Sequence, residues 1–567
     1  MTQNFKPTWD LEAVFAGGSE SNEFRAFLDS LQAEISNFQS ILQAQAANQL
    51  TKEQLIALIH PMQQIMNGLK EADSFTACIA AENQSDRQAV RLSGQVKSLY
   101  AEFLSAMTLF DQIVKQIPFA QWTSLLDTQE LQAVAFPLTE RKESAEEKLS
   151  SEQESIINDL TVDGYHGWGD LYNTTVSKIR IPFEEGGKIE ELSAGQAHNK
   201  LSDRSREVRE KVFANWEKAW EDSVDFCADA LNHLSGFRLQ VYKHRGWNAI
   251  HKEPLQINRM SEQTLKVMWD VIEKNKAVFT EYLHRKAKLL GVEQLSWSDV
   301  EAPIGEIDKQ YSYAEAAELI VEQFRKFSPK MADFAEMAFA KQWIEAEDRP
   351  GKRPGGFCTS FPVSKQTRIF MTFSGTPSNL STLAHELGHG YHQYVMDDMP
   401  ALAQEYAINV AETASTFAEM IIADAAVKQA STNEEKLILL EDKIQRSVAF
   451  FMNIHARFIF ETNFYEERRK GIVGAEQLNE LMVNAQKQAF DHALGQYHPT
   501  FWASKLHFYI TEVPFYNFPY TFGYLFSSGI YARALEEGTQ FEDRYVDLLR
   551  DTGSMTVEQL AQKHLDV

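Results

Sequence analysis

From Ser21 the apolar residues Phe24, Phe27, Leu28, Leu31, Ile35, Phe38, Ile41 and Leu42 recur mostly at steps of three and four, which predicts an amphipathic helix. Thr51 followed by Gln54 has the form of a capping box and predicts the start of the next helix. Val96, Leu99, Tyr100, Phe103, Leu104, Met107 and Phe110 repeat the helical stripe, and residues 140–154, dense in charges of both signs, read as a solvated helix face. The helical texture breaks at 177–193. There Lys178-Ile179-Arg180-Ile181 alternates, and Lys188-Ile189-Glu190-Glu191-Leu192 follows across Glu185-Gly186-Gly187, the pattern of a β-hairpin. Ser193 can cap a long charged helix after it, which places a boundary near residue 195 and predicts an N-terminal helical region, 1–195, followed by a second region, 196–567. Helices continue to Phe327. An irregular polar stretch, 349–360, then leads into one short strand, 367–373, ended by Gly375-Thr376-Pro377.

Composition narrows the class. With 567 residues, 44% of them hydrophobic and 24% charged, the chain can bury large cores, which excludes global disorder. Lys and Arg number 55 against 80 Asp and Glu, and the resulting net charge of −25 repels a polyphosphate, so nucleic acid is not expected as a partner. The opening residues lack a basic stretch followed by an apolar one, and Glu419 and Asp424 interrupt the apolar run after Phe417. Neither a signal peptide nor a membrane span is expected. Cys78, Cys227 and Cys358 are odd in number and far apart, which fits a reducing compartment, a cytoplasmic location and no cysteine-based zinc knuckle.

Candidate chemistry follows the strand directly. His385-Glu386-Leu387-Gly388-His389 is an HExxH motif in a run of helical spacing that Thr376 or Ser378 can cap. One turn of helix puts the two imidazoles on one face, about 6 Å apart along the axis. They can share a zinc ion, and Glu386 beside them can take a proton from a bound water. Gly388 and Gly390 cost the helix about 1 kcal/mol each relative to Ala, which makes sense if something approaches its backbone there. A hydrolytic zinc needs a third protein ligand and an open position. The metzincin pattern is excluded, because His392 and Val395 stand where it needs Gly and His. His392 lies about 10 Å along the helix from His385, too far for three ligands on one ion, and reads as a supporting or core residue. Beyond the break at Asp397-Asp398-Met399-Pro400, a second helical run carries Glu405, Glu412 and Glu419, spaced by seven and so on one face. Spacing does not choose among these carboxylates.

The HExxH segment followed by Glu412-Thr413-Ala414-Ser415-Thr416-Phe417 closely resembles the oligoendopeptidase F family, relatives of thimet oligopeptidase among the zinc metallopeptidases. Trp9-Asp10-Leu11, residues 351–373, and the tail with His507-Phe508-Tyr509, Pro514 to Tyr520 and Gly523-Tyr524 extend the resemblance over most of the chain. It implies that Glu412 is the third zinc ligand, that Glu419 supports the ligands from outside, and that His507, Tyr520 and Tyr524 polarise the substrate carbonyl and stabilise the oxyanion. Pro519 and one additional residue between the tyrosines depart from the thimet enzymes. The implied fold is mainly α, an elongated two-part helical metallopeptidase enclosing a substrate channel, with a small β element flanking the active site. One zinc ion per chain and oligopeptide substrates go with it. Independently, Pro519 suits a first helical turn, and Tyr520 and Tyr524 at i, i+4 then share a face from which a phenol can donate to an oxyanion.

The expected activity is zinc-dependent endopeptidase cleavage of short oligopeptides, with Glu386 as general base and acid, and with strand 367–373 pairing an extended substrate by strand addition. Two alternatives stand beside it. A zinc carboxypeptidase or dipeptidyl carboxypeptidase would need a cation for the substrate's free carboxylate, and a catalytically silent peptide-binding protein would keep only the fold. No residue pattern sets an oligomeric state.

Overall fold

In the computed structural model, which describes residues 5–45 and 50–567, Ser21 caps the helix Asn22–Ala44 by accepting from the backbone N–H of Phe24. Phe24, Leu28, Leu31, Ile35, Phe38 and Leu42 of its stripe are buried, whereas Ile41 lies outside. Thr51 and Gln54 form the expected capping box of the helix Lys52–Glu82, and Arg87–Gln116 packs against both earlier helices to complete a three-helix bundle, with Leu104 exposed. The charged stretch 140–154 departs from expectation at Lys142. Its side chain is fully buried, and its Nζ donates to Val114 O and Glu146 Oε1.

Among the described residues, seven short strands interrupt the helices: β1 (Ile181–Glu185), β2 (Lys188–Leu192), β3 (Leu295–Ser296), β4 (Ile344–Glu345), β5 (Phe357–Phe361), β6 (Gln366–Phe370) and β7 (Leu494–Gln496). β1 and β2 form the antiparallel hairpin, with Gly186 and Gly187 both at positive φ, a turn that side chains with a Cβ rarely adopt. Ser193 does cap a helix, but a short one, Ala194–Lys200, and a second cap at Ser205 opens Arg206–Glu221. The three-stranded sheet has the order β4-β6-β5, parallel between β4 and β6 and antiparallel between β5 and β6. β6 is therefore central. The backbone N–H groups of Ile369, Met371 and Phe373 already donate to Trp343, Glu345 and Ala346. This corrects the expectation for strand 367–373: β5 pairs along residues 366–370 on one side, residues 343–346 pair along 369–373 on the other, and β5 is an edge.

The chain divides into two compact units, neither of them a continuous stretch. One comprises Met1–Lys148, Asp308–Ala425 and Leu525–Val567; the other comprises Leu149–Ile307 and Ala426–Tyr524. In the first, a core of Phe24, Phe38, Phe75 and Phe110 continues to Phe361 and Phe370 of the sheet. In the second, Leu283, Met452 and Phe490 belong to a separate core beside β3 and β7. Among the described residues, no helix is long and apolar enough to cross a membrane.

Candidate metal centre and active site

Thr376 caps the helix Pro377–Met396 in a box with Asn379, and Pro377 occupies its first turn, where a missing N–H costs nothing. The helix rises from the sheet carrying His385, Glu386 and His389. Gly388 shows what its glycines are for: a Cβ there would stand 2.5 Å from Ala414 O and 2.6 Å from Ser415 Cα. A Cβ on Gly390 would stand 2.9 Å from the Phe334 ring. The helix is thus bare at the point where the backbone after Glu412 crosses it.

That second segment is not the single helix the seven-residue spacing suggested. Ile408–Ala411 forms one helical turn, Glu412 is its C-cap, and Thr413–Gln429 starts anew. Glu405 precedes both, at the end of a 3₁₀ turn, Ala401–Gln404. The kink aims Glu412 at the histidines. His385 Nε2 and His389 Nε2 are 3.1 Å apart, and Glu412 Oε2 is 3.4 Å from each. Donors at the 2.0–2.1 Å reach of tetrahedral zinc stand about 3.3 Å from one another, so this triangle has the right size for one ion. Its chemistry points the same way. Glu419 Oε1 lies 2.5 Å from His385 Nδ1, so that nitrogen donates and Nε2 turns a lone pair toward the other two donors. The two imidazoles and the carboxylate thus converge on one point, where a cation would lie between them. Ser415 Oγ also donates to Glu412 Oε2 at 2.9 Å. Against the cost of burial, the hydrogen bond from His389, the charges of both histidines and Ser415 hold the Glu412 carboxyl down to about 2.

Glu386 is 7% exposed, and its Oε2 has no hydrogen-bond partner among the described residues. Burial raises its carboxyl against the opposing pull of the two histidines, which makes it a better proton acceptor than an exposed carboxylate. It also faces the N-terminal end of β5, where a Cβ on Gly356 would stand 3.3 Å from Glu386 Oε1. His392 faces away from the donors. Its ring stacks on Tyr406 at 4.3 Å, its Nε2 contacts Leu549 O and Thr552 Oγ1, and burial pushes it down to about 3, so it is a neutral core imidazole.

His507, Tyr520 and Tyr524 belong to the second compact unit. Tyr520 and Tyr524 lie on the helix Phe518–Glu537. Tyr520 Oη donates to Tyr516 Oη at 3.2 Å, and the Tyr516 ring lies 5.5 Å from His507. Tyr524 Oη pairs with Ser447 Oγ at 2.9 Å while its ring stacks on Phe450. Burial, then Arg457 and Lys505, push His507 down to about 4, so its imidazole is neutral near pH 7, and its Nδ1 has no partner among the described residues. Ser415 and Tyr516 were not singled out from the sequence, although Ser415 stands three residues after Glu412 and Tyr516 four before Tyr520.

The sequence model of Peptidase family M3 matches residues 200–565, well over half of the chain. The chain belongs to peptidase family M3. An Oligopeptidase F N-terminal model matches residues 114–181 of this M3 chain. Among its M3 relatives, chromosomal oligoendopeptidase F of Lactococcus lactis subsp. cremoris is 25% identical over 66% of this chain and 62% of its own length. An oligoendopeptidase F homolog of Lactococcus lactis subsp. lactis is 21% identical over 99% and 93%. A crystal structure from Chlamydophila abortus superposes with a TM-score of 0.85 at 18% identity, covering 100% of this chain and 95% of that one. Oligoendopeptidase-F of Enterococcus faecium does so with 0.70 at 18%, covering 95% and 93%. The mainly helical fold with small sheets is thus that of the oligoendopeptidase F group, and the M3 assignment makes the chain a peptidase.

Proposed function

We propose that this M3 peptidase is a zinc-dependent endopeptidase of short peptides, with His385, His389 and Glu412 as the metal ligands. The observation that carries this reading is the triangle of donors 3.1 to 3.4 Å on a side with Glu386 buried beside it. When bound, the zinc would supply a Lewis acid that lowers the pKa of a coordinated water and polarises a carbonyl. Glu386 accepts the proton of the attacking water at its carboxylate and returns it to the leaving amine. Glu419 holds the His385 ring by its Nδ1–H, and Ser415 fixes the Glu412 oxygen. The N-terminal end of β5, an edge strand beside Glu386, is where an extended peptide backbone can add a strand. A folded substrate offers no such free backbone, so broad cleavage of short peptides follows. His507, Tyr520 and Tyr524 stabilise the tetrahedral intermediate in this reading, which rests for them on the family resemblance. In this reading residues 1–195 are the N-terminal helical region with its terminal β-hairpin and 196–567 the zinc peptidase region, in line with the family matches to 114–181 and 200–565, while each compact unit draws on both regions. The three free cysteines accord with a cytoplasmic location.

Metal analysis and a peptide digest test the reading together. The purified protein should carry about one zinc per chain, and His385→Ala, His389→Ala and Glu412→Ala should each lose both zinc and activity. Full zinc retention in Glu412→Ala would move the third ligand to Glu405 or Glu419. C-terminally blocked peptides, with products mapped by mass spectrometry, separate the endopeptidase from a carboxypeptidase, which leaves them uncut.

The tyrosines give a finer result. A phenol that donates only to the oxyanion contributes to the transition state and little to the bound substrate. For the true donor, Tyr520→Phe or Tyr524→Phe should lower kcat by about 10² to 10³ with KM nearly unchanged and zinc retained. Full kcat in both single variants and in the double variant would leave these rings a packing role only.

A further inference from the structure

The compact unit that carries His507 holds a cavity of about 50 Å³, lined by Trp216, Trp297, Phe501, Glu301 and Lys505 among others. This volume exceeds what one water needs and suits a group the size of a carboxylate. Lys505 and Arg457 both stand close to one ring: Lys505 Nζ is 5.0 Å and Arg457 Cζ 5.3 Å from the centroid of Phe501. Among the described residues neither cation makes an ion pair with a carboxylate. Arg457 spends its donors on the amide oxygens of Asn453 and Asn517, and Asn453 itself lines the cavity. Lys505 Nζ makes no ion pair or hydrogen bond among the described residues. Burial and the nearby Arg457 push it down to about 8, so it is still mostly protonated at pH 7. Glu301, the carboxylate of the lining, is exposed and pairs with neither cation among the described residues. Lys505 of the lining and Arg457 on the same Phe501 ring are two cations against the one carboxylate of the lining, Glu301, whose charge acts on both, and they leave an excess of positive charge at the cavity in a chain whose net charge is −25.

We propose that this cavity binds a carboxylate, the free C-terminus of a peptide, with Lys505 as its counter-ion. One uncompensated charge matches a monoanion, whereas a phosphate dianion would call for a fork of donors that the lining does not offer. The apolar walls of Trp216, Trp297 and Phe501 suit the side chain that precedes a terminal carboxylate. Lys505 stands two residues before His507, so the subsite shares its chain segment with a residue of the proposed catalytic set. The peptide part of this inference rests on the proposed function; the anion part does not.

Isothermal titration calorimetry in Glu386→Gln protein, which keeps the peptide uncut, provides the test. The probes are a hexapeptide with a free C-terminus, the same peptide as its C-terminal amide, and propionate. The acid should bind about tenfold more tightly than the amide, as one charge-assisted contact in a partly dry cavity implies. Lys505→Met should abolish that preference, Lys505→Arg should keep it, and Glu301→Gln should widen it by about twofold, the scale of an exposed charge. Binding of propionate but no acid-over-amide preference, with the propionate lost in Lys505→Met, would keep the anion site and overturn the assignment of the peptide C-terminus as its occupant. A preference for the acid that persists unchanged in Lys505→Met, or no preference and no propionate binding in the parent, would overturn the proposal.

Discussion

Replacing Glu386 with Gln is expected to reduce turnover of a short peptide by at least about 10³-fold, at the strong end of what one general acid and base contributes. Gln has the same shape, and the amide fills the same 7%-exposed site between the helix and the N-terminal end of β5, so neither packing nor the donor triangle changes. What disappears is the basic oxygen. A carboxylate raised by burial can take a proton from water and hand it on, whereas an amide can do neither. Zinc content, thermal stability and peptide affinity should therefore match the parent while kcat collapses, a combination that separates chemistry from binding. The measurements are kcat on a quenched fluorogenic peptide and zinc by atomic spectrometry. Near-normal turnover would remove Glu386 from the mechanism.

Gly388→Ala should be as damaging by a different route. In an exposed helix Ala stabilises by up to about 1 kcal/mol over Gly. Gly94, in the helix Arg87–Gln116 with nothing within 4 Å of its would-be Cβ, should behave that way. At Gly388 the new carbon would meet Ala414 O at 2.5 Å and Ser415 Cα at 2.6 Å, and both are backbone atoms that cannot swing aside. The crossing segment has to retreat, and Glu412 and Ser415 retreat with it. We expect a loss of about 1 to 3 kcal/mol from overpacking, together with loss of most bound zinc. Melting temperature and zinc content of Gly388→Ala and Gly94→Ala, measured side by side, check this. A stabilised, fully metallated Gly388→Ala would show that the crossing is slack.

These two positions mark what the sequence makes legible. HExxH is a local pattern, and helix geometry alone brings two imidazoles together; the two glycines announce a close approach without saying what approaches. The capping residues Ser21, Thr51, Ser193 and Thr376 are equally local, and each sits at a helix start. Long-range contacts were not legible. A spacing of seven suggested one helix through Glu405, Glu412 and Glu419, but the backbone breaks at Glu412 so that its side chain can turn toward the histidines. The strand expected at 367–373 looked free to pair with substrate because nothing in its own residues shows that β5 and residues 343–346 pair along its two edges. Lys142 reads as a surface charge until Val114 O, 28 residues away in sequence, is placed above it. The donor Glu412 was chosen by resemblance, and its geometry could not have been derived from its spacing.

The order in which the chain emerges from the ribosome gives the bracing of His392 another meaning. The helix bearing the HExxH motif is backed by Leu549 and Thr552 through His392, and Gly553 lets Ala403 O pack where even a methyl group would collide. Translation delivers these braces about 160 residues after the motif itself. While the chain is being synthesised, the metal-binding helix therefore lacks the contacts of His392 until residues 549–553 have been made.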